Sequence, residues 1–94
     1  MTLIPHSCAH RLLAVASEKP LSRAELCARA RACGMPTSYT VLVIDAALDV
    51  LLEARYLRRV GEKQYVLLPA GGQLLTRLDA QIRTATIQKY RETR

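Results

Sequence analysis

Between Arg55 and Gly71 the spacing of apolar residues changes, and that change limits what the chain can become. Upstream, apolar residues recur at three- and four-residue intervals. Then Tyr56-Leu57-Arg58-Arg59-Val60 and Gln64-Tyr65-Val66-Leu67-Leu68 read as two short strands joined by the tight turn Gly61-Glu62-Lys63. Pro69-Ala70-Gly71-Gly72 ends the ladder. A two-stranded hairpin alone is marginal in water, so helices must cover it. The expected class is mainly α with a small β-hairpin.

The 94 residues form one domain, 1–94, able to bury only about two thirds of the surface the unfolded chain exposes. A large catalytic cleft is not expected. Half the residues are apolar, drawn mainly from Leu and Ala with no Phe or Trp, which suits small, closely packed helices. A first helix is expected over Pro5–Ser17, with Cys8, Leu12, Val15 and Ala16 on one face. Ser22-Arg23-Ala24-Glu25 has the pattern of a capping box opening a second helix, and Gly34 is its stop signal. On that helix Leu26, Cys27, Ala30 and Cys33 share a face. A third helix is expected from a Thr37 or Ser38 cap to about Ala54, with Val41, Ile44, Leu48 and Leu51 as its core stripe. A last helix over 72–89 carries Leu75, Leu78, Ile82 and Ala85, a stripe too long for the hairpin and first helix to cover, and so a dimer interface.

The phrase PLSRAELCARARACGMPTSYTVLVIDAALDVLLEARYLRRVGEKQYVLLPAGGQLL resembles the winged helix-turn-helix stretch of bacterial regulators of the MarR and PadR type, and it covers most of the chain. The resemblance implies three helices, a two-stranded wing and a C-terminal helix that often makes a dimer. It also implies a DNA-binding transcriptional regulator, such as a repressor. Two residues depart from the pattern: Leu68 stands where Thr would cap the last helix, and Arg55 where Gly often ends the recognition helix. The first predicts a weaker start to the last helix and the second a strained or altered end to the third.

Fourteen Lys and Arg against eight Asp and Glu give a net charge of +6 and a pI near 9.7, which favours polyanionic partners. The third helix is ill suited to one. Asp45, Asp49 and Glu53 form an acidic row, with Leu42 beside it and Val43, Ala46 and Val50 widening the apolar surface. Contact with duplex DNA therefore falls to the hydroxyl-bearing first turn, Thr37, Ser38, Tyr39 and Thr40, and to the basic residues Arg23, Arg58, Arg59 and Lys63. Two readings follow. The expected one is a homodimeric DNA-binding regulator; the alternative is an interaction module that docks a protein partner through Leu42, Val43 and Val50.

No enzyme or cofactor is expected. His6 and His10 lie one helical turn apart, but Cys8 falls between them on the core side, so the three do not converge on a metal. No phosphate loop and no nucleophile with a base and orienter are present in the sequence. Cys8, Cys27 and Cys33 fit no disulfide framework and fall on apolar faces, so buried free thiols and a cytoplasmic location are expected. No apolar run approaches the length of a membrane span.

Overall fold

The computed structural model describes the backbone of residues 3–92 and the side chains of residues 3–85. The described residues form a mainly helical domain with a small antiparallel sheet. In chain order the elements are α1 (Cys8–Val15), β1 (Leu21–Ser22), α2 (Arg23–Ala32), α3 (Val41–Glu53), β2 (Leu57–Val60), β3 (Gln64–Leu67) and α4 (Pro69–Glu92).

The first helix starts later than Pro5. Ser7 is extended, and its Oγ accepts the His10 amide at 3.2 Å, a stronger start than the proline alone provides. Ahead of it, His6 sits at φ 64° and the Ser7 amide donates to the Ile4 carbonyl. The second helix opens on the expected capping box: Ser22 Oγ accepts from the Glu25 amide while the Glu25 carboxylate accepts from the Ser22 amide.

The helices α2 and α3 end in the same way with different residues. Behind α2, the Gly34 amide returns to Arg31 and the Met35 amide to Ala30, with Gly34 at φ 99° and Met35 buried. Behind α3, the Arg55 amide returns to Leu52 and the Tyr56 amide to Leu51, with Arg55 at φ 62° and Tyr56 buried. Both are Schellman turns, which place one residue in the left-handed region. Glycine adopts that conformation without cost; Arg55 does not, and this is the strained ending expected there.

Helix α3 begins at Val41 with Thr40 as its cap, the hydroxyl accepting from the Val43 amide at 3.3 Å, and not at Thr37 or Ser38. Tyr39 packs half-buried against the core, so the turn through Thr37 and Ser38 finishes before the helix starts, and Thr40 takes the cap. Val41 is accordingly 59% exposed and leaves the expected core stripe, while Ala47 joins Ile44, Leu48 and Leu51 in it.

The hairpin forms as expected, with Leu57 opposite Leu67 and Val60 opposite Gln64. A third strand joins it. Leu21 pairs with Tyr65 and Ser22 with Gln64, so β3 is central in the order β1-β3-β2. Helix α4 starts at Pro69, a favoured first position, earlier than Gly72. The Gly72 amide bonds to the Leu68 carbonyl, leaving apolar Leu68 in the capping place. Leu12, Leu13, Leu26, Leu51, Leu57 and Leu78 are fully buried and draw every helix and the hairpin into one core.

Candidate interaction surface

Two surfaces could receive a partner: the cleft between α3 and the hairpin, and the outer face of α3. The cleft, about 610 Å³, has Leu48 and Tyr65 among its lining residues, with Arg23, Asp45, Asp49, Arg59, Glu62 and Lys63 around them. Its charges oppose each other. Arg23 Nη1 lies 2.5 Å from Asp45 Oδ1, an ion pair joining the start of α2 to α3 with both side chains about half exposed. Such an exposed pair adds little stability, but it occupies a cation that was expected to hold phosphate.

The hairpin divides its arginines. Arg59 pairs in register with Tyr65 and Arg58 with Val66, and successive strand residues point to opposite faces. Arg59 lies over the Tyr65 ring, 5.7 Å from its centroid, and Nη2 donates to the phenol oxygen at 3.5 Å. It faces the cleft, and Arg58 faces away. Arg58, Arg59 and Lys63 are all exposed, so the basic hairpin is real, but it does not present one cationic edge.

On the outer face of α3, Leu42 is 82% exposed and Val43 43%, whereas Val50 is half-buried. Leu42, Ala46, Asp49 and Glu53, spaced by four, three and four residues, form an exposed row that is apolar at one end and acidic at the other. No Lys or Arg occurs between Arg31 and Arg55. Of the hydroxyl-bearing residues expected to meet DNA, Thr37 and Ser38 are exposed, Thr40 is used as the helix cap, and Tyr39 packs inward.

The dimer stripe on α4 is divided as well. Leu78 is 1% exposed and belongs to its own domain's core, as does Leu74, so Leu78 is not an interface residue. Leu75 packs half-buried against that core, Ile82 is half-buried and Ala85 is exposed. The spacing marks an apolar stripe, but a period cannot distinguish burial by the chain itself from burial by a second one.

Among the expected thiols, Cys8 and Cys27 are half-buried and Cys33 is exposed, because it caps α2 beyond its last packed turn. Burial, helped by the neighbouring Cys27, raises the Cys8 thiol above its ordinary value. His10 is buried. Its Nδ1 accepts the His6 amide at 2.8 Å, which requires the neutral ring with its proton on Nε2. Burial is the largest influence lowering its pKa; His6 and Arg11 act the same way and Asp79 opposes them. Neither this bond nor the Arg59–Tyr65 contact had a signal in the residue pattern.

Among the described residues, no group of three or more His, Cys, Asp or Glu is placed to hold a metal ion, and no helix is long and apolar enough to cross a membrane. No family model, curated protein or solved structure matches the chain.

Proposed function

We propose that this chain is a protein-docking module and that the outer face of α3 receives an amphipathic helix bearing apolar residues flanked by Lys or Arg. The observation that carries this reading is the row Leu42, Ala46, Asp49 and Glu53, exposed on a helix with no cation of its own. Burying one Leu or Val fully contributes about 1.5–3 kcal/mol. Scaled by the exposure of Val41, Leu42 and Val43, the apolar end offers roughly 3–5 kcal/mol before association costs. Micromolar affinity needs about 8 kcal/mol net, so the acidic end must contribute through charge. That requirement makes the partner basic.

The test is capture of a synthetic Leu/Lys amphipathic helix, followed by fluorescence anisotropy, beside the same helix with Glu replacing Lys. The expected result is binding of the basic helix alone, lost in Leu42→Asp. Equal binding of both helices, or full binding by Leu42→Asp, overturns the reading.

The exposed Arg58, Arg59 and Lys63 favour a second reading, contact with duplex DNA through the hairpin of a winged-helix regulator. On this reading α3 does not enter the groove, since its acidic row would face phosphates at a Coulombic cost. Replacing Arg58 and Arg59 with Ala should then weaken binding to all sequences and flatten the salt dependence by roughly one unit for each lost phosphate contact. Unchanged affinity and salt slope would dismiss it.

A further inference from the structure

We infer that the helix seated on the outer face of α3 is α4 of a second copy of this chain, each protomer giving its α4 to the other's α3 about a two-fold axis. This rests on the docking reading and names its partner.

Among the described side chains, the domain buries α4 only near its start. The helix runs for 24 residues, about 36 Å, and among its described side chains, which end at Ala85, the buried residues are Gly71, Leu74 and Leu78. The molecule measures 53 × 29 × 21 Å, elongated as expected for a helix that outruns its core. Past Leu78, residues 79–81 and 83–85 are exposed, and Ile82 and Ala85 continue the face that is buried nearer the sheet.

Charge selects the match. From Arg77 to Glu92 the sequence of α4 holds four basic and two acidic residues. From Ala32 to Ala54 there is no basic residue and there are three acidic ones, of which Asp45 is paired with Arg23 while Asp49 and Glu53 stand on the exposed row. Within a single chain these are an acidic row on α3 and a helix, α4, in which basic residues prevail. Opposite signs on two helices attract between copies and repel in the α3–α3 and α4–α4 arrangements, which sets the pairing. Two-fold symmetry then supplies the area. A stable interface needs about 1,200–2,000 Å² in total, more than one short helix contact provides, and the reciprocal exchange counts the contact twice.

The experiment is sedimentation velocity on the full chain at micromolar concentration, with circular dichroism to verify that each variant retains its helix. The wild type is expected to sediment as a dimer, and Leu42→Asp to weaken it roughly 100-fold. Two charge-reversed chains provide the decisive comparison: Asp49→Lys with Glu53→Lys, and Arg83→Glu with Lys89→Glu. Each alone should be monomeric, because its own α3 and α4 then carry like charge. Mixed, they should form a heterodimer in which both contacts are restored. A monomeric wild type overturns the inference, as does a dimer indifferent to Leu42→Asp, or two charge-reversed chains that fail to pair on mixing. In each of those cases the synthetic basic helix still decides the docking reading independently, since it needs no second copy.

Discussion

Gly71 and Gly72 are adjacent in the first turn of α4, and replacing each with alanine should move stability in opposite directions. A Cβ on Gly71 would lie 2.5 Å from the Tyr56 carbonyl oxygen and 2.8 Å from Leu67 Cδ1; one on Gly72 meets nothing within 4 Å. The leucine can turn aside, but the carbonyl cannot, because it belongs to the turn behind α3 and already accepts the Leu68 amide at 3.0 Å. Overpacking costs typically 1–3 kcal/mol, and a contact with fixed backbone falls in the upper half of that range. Alanine returns up to about 1 kcal/mol through its helix propensity at either position. Gly71→Ala should therefore lose about 1–2 kcal/mol and Gly72→Ala gain up to about 1. Propensity nearly cancels between neighbours, so their difference, about 2–3 kcal/mol, measures the steric contact itself. Urea unfolding at 25 °C with an unchanged m-value is the assay, and by heat the two should separate by roughly 10 °C or more. If Gly71→Ala proves as stable as Gly72→Ala, α4 does not approach the Tyr56 turn as closely as described.

Arg55→Gly should stabilise the domain by about 1 kcal/mol in the same unfolding assay, because it relieves a left-handed residue; Gly34→Ala should destabilise it at the equivalent turn. His10 should make stability depend on pH. Its folded pKa lies below its ordinary value of 6.5, so as pH falls through 6.5 the unfolded chain takes up a proton that the folded chain refuses. Stability is then complete above that value, declines as pH falls toward the folded pKa, and should decline less in His10→Gln when thermal unfolding is followed from pH 7.5 to 5. A thiol reagent in native buffer should modify Cys33 first and Cys8 slowly, since one is exposed and the other is half-buried with a raised pKa; mass mapping of the labelled sites checks the order.

The features legible in the sequence are those whose determinants lie close together along it. Ser22 and Glu25 are three residues apart and cap the same turn, and the α2 stop at Gly34 is equally local. The hairpin followed from the change of apolar spacing on either side of the turn Gly61-Glu62-Lys63, and the strain at Arg55 from the residue type standing at a helix end. The α3 cap was misplaced because Thr37, Ser38 and Thr40 all carry a suitable hydroxyl, and the choice depends on Tyr39 reaching the core. Strand β1 was missed because two residues have no period and Leu21 finds its partner far along the chain. On the candidate surface, the acidic row and the place of Leu42 beside it were readable from helical spacing, but the exposure of Leu42 was not, because an apolar face can be covered by its own domain. The use of Arg23 by Asp45, the opposed directions of Arg58 and Arg59 and the withdrawal of Leu78 into the core were not, since each is settled by an element that packs from elsewhere.

The two residues of β1 also determine an order of events. Strands β2 and β3 meet across the short turn from Gly61 to Lys63, a closure of microseconds, whereas Leu21 reaches Tyr65 only after a loop containing α2, α3 and β2 has closed. The hairpin contacts should thus form before the third strand arrives, and β1 should join only once the longer loop through α2 and α3 has closed. The Leu21 amide should be the last in the sheet to gain protection from hydrogen exchange during refolding, whereas the Ser22 amide, bonded to Glu25, follows α2. Held by so short a ladder, the Leu21 amide should also be the first to lose that protection when the native domain opens in part.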